Sequence, residues 1–141
     1  MKIQDIMTAN PACCETDTGL GEVARLMVDN DCGEIPVLRG GKPVGVITDR
    51  DITARAVAAG RNPLEMRAGD LMSSPVITVT PDTDVDECCE TMEEHQIRRI
   101  PVVDDSGSCC GMVSQADIAK HASARKTAEV LKEVSRPCAD A

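Results

Sequence analysis

Hydrophobic residues recur at helical spacing in two stretches of the chain. Both stretches place them at positions i, i+3, i+4 and i+7, which predicts a helix with one apolar face. The apolar positions are Leu20, Val23, Ala24 and Met27 in the first stretch and Val85, Cys88, Cys89 and Met92 in the second. After each predicted helix, two short apolar runs flank a polar or glycine-rich turn, which predicts a β-hairpin. The runs are residues 35–38 and 44–47 after the first helix and residues 100–103 and 110–113 after the second.

Further helices are predicted after the hairpins. The first begins at Asp51 and ends near Gly60, and its counterpart runs from Asp117 toward Ala124. Residues 128–134 form a third amphipathic segment, which stops before a proline. Side-chain oxygens of residues 17–18 and 82–83 precede the two striped helices, and we expect them to cap these helices.

The two halves of the chain are copies of one unit. Residues 5–8 return as residues 70–73 and residues 35–37 as 100–102, both at an offset of 65, and residues 45–52 return as 111–118 at an offset of 66. Each copy predicts a β-α-β-β-α repeat of the mixed α/β (α+β) class. A repeat of about 60 residues is marginally stable alone, so we expect the copies to share a core about a pseudo-twofold axis. The boundaries are 1–61 for repeat 1, 62–69 for a linker, 70–122 for repeat 2 and 123–141 for a helical tail.

The sharpest local motif is Gly-x-x-Thr/Ser-x-x-Asp, which occurs once in each repeat. It places Thr48 or Ser114 at the end of a strand and Asp51 or Asp117 at the start of a helix. A hydroxyl and unpaired helix N–H groups suit a phosphate, and a carboxylate can accept hydrogen bonds from two ribose hydroxyls. The simpler alternative is that each pair only caps its helix. The repetition in register favours a nucleotide half-site.

Composition excludes several classes of function. The net charge is −9, and the chain contains no Phe, Tyr or Trp, which argues against binding to nucleic acid. No run approaches the roughly 18 apolar residues of a membrane span, and the N-terminus lacks a signal-peptide pattern. We therefore expect a cytoplasmic protein that binds neither nucleic acid nor a membrane.

The eight cysteines invite a metal or redox interpretation. Six lie in adjacent pairs, at 13–14, 88–89 and 109–110, and none shows the C-x-x-C spacing of zinc or redox motifs. Several stand where the other repeat has valine or alanine, which is typical of small buried residues. We assign no metal site, and we expect His95 and His121 to be surface residues. A metal- or redox-responsive protein stays the open alternative.

Residues 1 to about 122 resemble a tandem pair of cystathionine-β-synthase (CBS) domains, the Bateman module, of the small stand-alone bacterial type. The resemblance rests on Asp-Ile-Met-Thr at the repeat start, Ile-Pro-Val before the hairpin and the Gly-x-x-Thr/Ser-x-x-Asp motif. It implies two clefts between the repeats that bind AMP, ADP, ATP or S-adenosylmethionine. By position, Asp51 and Asp117 would hold ribose, and Thr48 and Ser114 would lie near phosphate. The adenine wall would comprise Ile35, Pro36, Ile100 and Pro101 with the backbone around Cys14, Thr78 and Val79.

The two half-sites differ in charge. Arg98 and Arg99 precede the second Ile-Pro pair, where the first repeat has Gly33-Glu34. Opposite charges attract a phosphate and like charges repel it, so we expect the phosphate-bearing cleft to face the two arginines. Arg50 is a further possible phosphate contact, which the second repeat replaces with Ala116.

These patterns predict a regulatory module and not an enzyme. We expect it to require no cofactor, to bind an adenine nucleotide as a regulatory ligand and to act on an unidentified partner protein in trans. The resemblance implies a homodimer formed through the helices. Besides the metal or redox alternative, a structural oligomerisation module with non-binding clefts remains open.

Overall fold

Each predicted apolar stripe lies on a helix that packs in its own hydrophobic core. The computed structural model describes residues 1–137. Helix α1 (Leu20–Asp29) buries Leu20, Val23 and Met27. Helix α4 (Val85–His95) buries all four of its stripe positions. The two helices belong to different compact units, which the chain visits alternately.

The first unit comprises Pro11–Val76 and Ser106–Cys109. Its elements, besides α1, are β2 (Cys14–Glu15), β3 (Glu34–Arg39), β4 (Lys42–Thr48), α2 (Asp49–Ile52), a π-helical turn (Thr53–Val57), a 3-10 turn (Pro63–Glu65) and α3 (Ala68–Leu71). Strands β2 and β3 are parallel, and β3 and β4 form an antiparallel hairpin. The hairpin turns through Gly40 and Gly41, which both adopt positive φ, as a tight two-residue β-turn requires.

The second unit comprises Met1–Asn10, Ile77–Asp105 and the chain from Cys110 onward. Its elements, besides α4, are a 3-10 turn (Ile3–Asp5), β1 (Thr8–Ala9), β5 (Arg99–Val103), β6 (Cys109–Ser114, with Cys109 itself grouped in the first unit), α5 (Gln115–His121) and α6 (Ala124–Val134). The strands lie in the order β1-β6-β5. This repeats the predicted order of elements and confirms the mixed α/β class.

The packing units cut across the sequence repeats, because each repeat's opening segment pairs with the other repeat's hairpin. In the second unit, Thr8 and Ala9 of repeat 1 pair with Met112 and Gly111 of repeat 2. In the first unit, Ser73 of repeat 2 bridges to Val46 of repeat 1. The packing units therefore do not coincide with the predicted sequence repeats, because each core draws on both repeats.

The striped helices are capped by distant backbone and not by the predicted side chains. The N-cap residues are Gly19 for α1 and Asp84 for α4, and neither makes a side-chain cap. Instead, the Leu20 N–H donates to the Met66 carbonyl at 3.0 Å, and the Val85 N–H donates to the Met1 carbonyl at 3.0 Å. The hydroxyls of residues 18 and 83 are used locally, accepting from the N–H groups of residues 15 and 80.

The tail forms a longer helix than predicted. Helix α6 starts at Ala124, where the Ser123 hydroxyl accepts from the Lys126 N–H at 3.1 Å, and it packs against α4 and α5. It buries Val130 and Val134, which joins the tail to the core of the second unit. Cys138 and the remainder of the predicted tail lie outside the described residues. Within residues 1–137, no helix has both the length and the apolar character needed to cross a bilayer.

Close packing at Gly45 yields a stability prediction. A Cβ there would lie 2.8 Å from both the Met72 sulfur and the Ser73 carbonyl oxygen, closer than such atoms approach one another. We expect Gly45→Ala to lower the free energy of unfolding by about 1–3 kcal/mol, measured by urea denaturation. Gly21→Ala is the matched control, because its Cβ meets only the end of Leu64, at 3.5 Å, in a helix that favours alanine. Equal effects of the two substitutions would contradict the packing at Gly45.

Candidate functional site

The motif of the first unit forms a closed hydrogen-bonded box between β4 and α2. The Thr48 N–H donates to Asp51 Oδ2 at 2.9 Å, and the Asp51 N–H donates to Thr48 Oγ1 at 3.0 Å. Asp51 is the third residue of the helix and not its first, because α2 begins at Asp49. This reciprocal arrangement is a capping box with aspartate at N3. The helix-capping role, which the sequence left open as an alternative, is therefore present in the structure.

The second unit builds the same box between β6 and α5. Asp117 Oδ2 accepts from the Ser114 N–H at 2.8 Å and from the Ser114 hydroxyl at 3.0 Å. The Asp117 N–H donates to Ser114 Oγ at 3.3 Å. Among the described residues, the other oxygen, Asp117 Oδ1, has no hydrogen-bond partner. Capping thus uses one oxygen of this half-buried carboxylate and not the other.

The predicted adenine-wall residues lie beside these boxes. In the first unit, Glu34 pairs with Thr48 across the hairpin, so Ile35 and Pro36 follow directly next to the motif, and Cys14 pairs with Val37 on the neighbouring strand. In the second unit, the Val79 N–H donates to the Pro101 carbonyl at 3.2 Å, and the Val103 N–H donates to the Val79 carbonyl at 2.9 Å. Each unit therefore brings together the adenine-wall segments that were predicted for its own half-site.

Most wall side chains point into the cores. Ile35 and Ile100 are fully buried, and Pro36, Pro101, Cys14 and Val79 are also buried. Thr78 is exposed. These segments can therefore meet a ligand through their backbone N–H and carbonyl groups and not through their buried side chains.

The two arginines of the second unit flank its box. The Arg98 carbonyl accepts from the Gln115 N–H at 2.9 Å, which holds the start of β5 against the start of α5. Arg98 is exposed and Arg99 is half-buried. Neither guanidinium forms an ion pair within residues 1–137, so both charges are available to an anion. In the first unit, Arg50 is exposed and its N–H donates to its neighbour Asp49 at 2.8 Å.

Arg55 is a site residue that the sequence analysis missed. Its Nε lies 3.8 Å from Asp51 Oδ1, and its Nη1 donates to the Leu71 carbonyl at 3.0 Å and to the Met72 carbonyl at 3.4 Å. The π-helical turn that follows α2 carries this side chain. The available signal was its position four residues after Asp51, a spacing at which opposite charges meet on a helix. The equivalent residue after Asp117 is His121, which is exposed.

Burial accounts for most of the cysteines. It raises the pKa of Cys88 to about 12 and is the largest cause that raises those of Cys14 and Cys89 to about 11, so all three are neutral thiols at physiological pH. Such thiols are weak nucleophiles and poor metal ligands. No cluster of three or more His, Cys, Asp or Glu side chains able to hold a metal occurs among the described residues.

Two open grooves of the second unit lie away from the motif residues. One, of about 330 Å³, is lined by Asp86, Glu90, Ser123, Arg125, Lys126 and Glu129. The other, of about 240 Å³, is lined by Gln4, Pro81, Asp82, Asp104 and Asp105. Neither lining includes an apolar side chain large enough to stack on a base, so the motif remains the better candidate for a nucleotide.

Comparison with known proteins identifies the family. The CBS domain profile matches residues 3–57 and 68–124. The chain belongs to the CBS-domain family. It carries two CBS domains in a small protein, as the duplicated pattern predicts.

Two relatives align with most of this chain. Hypoxic response protein 1 of Mycobacterium tuberculosis is 33% identical over 137 residues, which cover 96% of this chain and 95% of that protein. MK0525 of Methanopyrus kandleri is 39% identical over 116 residues, which cover 82% of this chain and 57% of that protein. This chain thus spans a little over half of the archaeal relative.

Solved CBS pairs have the same fold. A crystal structure of Hypoxic Response Protein I with two coordinated zinc ions is 34% identical, has a TM-score of 0.79 and covers 87% of this chain and 100% of that chain. The CBS pair of protein MJ0100, in complex with 5′-methylthioadenosine and S-adenosyl-L-methionine, is 29% identical, has a TM-score of 0.76 and covers 85% and 98%. Two CBS pairs of this fold are therefore described with different bound species, zinc in one and adenosyl compounds in the other.

The capping boxes can be tested separately from any ligand. We expect Thr48→Ala and Ser114→Ala each to lower the free energy of unfolding by about 0.5–2 kcal/mol, because each removes the hydroxyl that accepts the aspartate N–H. Thr48→Ser and Ser114→Thr keep that hydroxyl and should unfold near the wild-type denaturant midpoint. If the alanine and hydroxyl-retaining variants unfolded alike, the boxes would not contribute to stability.

Proposed function

We propose that this protein is a regulatory CBS pair that senses an adenosyl ligand, either an adenine nucleotide or S-adenosylmethionine, and acts on a partner protein in trans. The observation that carries the proposal is the duplicated box in which an aspartate is held by one carboxylate oxygen beside an Ile-Pro strand. The MJ0100 pair, with its adenosyl ligands, supports the ligand class.

The ribose contact follows from the unused acceptor capacity of the aspartates. Vicinal hydroxyls need two acceptor lone pairs at a fixed position, and an ionised carboxylate supplies up to four. The box uses Oδ2 and orients the carboxylate before a ligand arrives. In the second unit, Oδ1 of Asp117 then accepts from the sugar, with the backbone of residues 79 and 101 beside the base.

The charge difference assigns the phosphate to the second unit. Two unit charges about 4 Å apart interact by about 4 kcal/mol at an effective dielectric constant near 20, before solvation costs. Arg98 and Arg99 attract a phosphate with energies of this order, whereas the Glu34 carboxylate at the equivalent place repels it. The first half-site therefore suits an adenosyl group without phosphates.

Regulation, and not catalysis, is the role we infer. A ligand that binds one conformation better than another shifts the population between them, which changes what a partner encounters. Zinc is not carried over from Hypoxic Response Protein I, because residues 1–137 hold no cluster of three metal-ligating side chains. Dimerisation through helices, action in the cytoplasm and regulation of an unidentified partner protein are parts of this proposal.

Replacement of each aspartate by asparagine tests the ribose contact. Asparagine keeps an oxygen for the capping box and loses the charged acceptor that ribose needs. We expect Asp117→Asn to weaken AMP binding about tenfold or more in calorimetric titration, because hydrogen bonds to charged groups contribute about 1.5–3 kcal/mol. We expect Asp51→Asn to weaken binding of 5′-methylthioadenosine.

Asp84→Asn, at an exposed aspartate of the second unit, is the matched control and should bind as the wild type does. The lack of aromatic residues adds a direct assay, since absorbance near 260 nm of the purified protein then reports bound nucleotide. Failure of AMP, ADP, ATP, S-adenosylmethionine and 5′-methylthioadenosine to bind at millimolar concentration would overturn the proposal.

Removal of the arginines tests the assignment of the phosphate. We expect Arg99→Ala to weaken ATP and AMP binding more than 5′-methylthioadenosine binding, because only the first two carry phosphate. Arg98→Ala should act in the same direction. Arg125→Ala, which removes an exposed arginine from α6, controls for net charge. An equal loss for all three ligands would assign Arg99 to the stability of the site and not to phosphate.

A further inference from the structure

Two thiols from distant parts of the sequence meet in the first unit. Cys13 lies just before β2, and Cys109 is the first residue of β6, directly after the loop from β5. Strand β1 pairs with β6, and the Asn10 N–H donates to the Cys110 carbonyl at 3.2 Å, so the segment that leads to Cys13 runs beside the segment that contains Cys109. The two side chains lie within hydrogen-bonding reach of each other. Both residues are half-buried, so small reagents in solvent can reach the pair.

Backbone contacts hold the pair in place. The Cys109 N–H donates to the Gly41 carbonyl at 3.0 Å, which ties the loop to the turn of the first hairpin. The Lys42 side chain lies beside Gly107 of the same loop, 3.6 Å from where a Cβ would stand. On the other side, the Cys13 thiol donates to the Pro11 carbonyl at 3.2 Å. Each thiol is therefore positioned by its own segment, independently of the other thiol.

Three other thiols are less suited to disulfide exchange. Cys14, Cys88 and Cys89 are buried, and their raised pKa values keep them protonated. Cys32 is half-buried, as Cys13 is, and lies in the same unit, which makes it a fair comparison for accessibility.

We propose that Cys13 and Cys109 are a redox modification site that forms an intrachain disulfide by exchange with a low-molecular-weight disulfide such as oxidised glutathione. One cysteine thiolate attacks the glutathione disulfide, forms a mixed disulfide and releases one glutathione thiolate. The second cysteine then attacks the protein sulfur of the mixed disulfide, forms the Cys13–Cys109 bond and releases the second glutathione. Two protein thiols are oxidised, one glutathione disulfide is reduced to two thiols, and their two protons pass to those products.

The hydrogen bond to Cys109 is the largest cause that raises the pKa of Cys13 above the usual thiol value, and burial raises it further. In the reduced pair Cys13 is therefore a protonated thiol.

The inference is independent of the proposed nucleotide site, and peptide mapping tests it directly. The reduced full-length protein is incubated with excess oxidised glutathione, alkylated with N-ethylmaleimide and digested with trypsin without reductant. We expect peptides 3–25 and 100–120 to be joined, with two fewer alkylated thiols per chain. Fragmentation of the joined peptide locates the bond, because each peptide holds two adjacent cysteines.

Single substitutions supply the matched controls. Cys13→Ser and Cys109→Ser should each abolish the joined peptide, whereas Cys32→Ser should leave its yield unchanged. Circular dichroism checks that each variant is folded. A wild-type chain that keeps all its thiols, a bond located at Cys14 or Cys110, or a bond between two chains would each overturn the inference.

Discussion

The structure depends on one aspartate in each unit, which uses one carboxylate oxygen to join a strand end to a helix start. Asp51 and Asp117 accept backbone hydrogen bonds from the residue that ends the preceding strand, and they donate their own N–H back to its hydroxyl. The box joins a strand end to a helix start, so the aspartate cannot turn away without loss of the cap. The same bonds that stabilise the junction therefore orient the second oxygen, and a ligand that uses it meets a group already in place. Capping and binding were alternatives in the sequence, but under the proposed function the two roles use different atoms of the same side chain.

Long-range backbone bonds explain why each unit needs both repeats. The first N–H groups of the striped helices are satisfied by the carbonyls of Met66 and Met1, which belong to segments outside those helices. The opening segment of each repeat also adds a bridge to the other repeat's hairpin. A single repeat would leave helix donors unsatisfied as well as an incomplete core, which is consistent with the marginal stability expected for about 60 residues.

Local periodicity predicts most of the elements of the fold, but it does not predict contacts between residues that are distant in sequence. The apolar stripes, the hairpins and the order of elements follow from spacing along the chain, and the structure has them, except that Ala24 of the first stripe is exposed. The caps of α1 and α4 were predicted wrongly, because Thr18 and Thr83 satisfy local turns while distant carbonyls cap the helices. The meeting of Cys13 with Cys109 has no local signal at all, since nothing in either pair of cysteines indicates which residue lies opposite. Arg55 had a signal in its spacing from Asp51, but its bonds to residues 71 and 72 come from tertiary structure.

Divergence between the copies makes the two aspartates chemically unequal under the proposed function. Oδ1 of Asp51 lies 3.8 Å from the Arg55 guanidinium, so a sugar hydroxyl that approaches it meets an existing partner. The Arg55 side chain is 51% exposed, so water screens its charge, and a ligand can displace it or share the carboxylate with it. Arg55 also donates to the carbonyls of Leu71 and Met72. A shift of its guanidinium therefore changes the hydrogen bonds of that backbone segment. Within residues 1–137 no cation pairs with Asp117, and Arg98 and Arg99 lie at the start of β5, where the Arg98 carbonyl is bonded to the first N–H of α5. Under the proposed function, occupancy of the first half-site is therefore coupled to the backbone through Arg55, whereas the second half-site selects for charge.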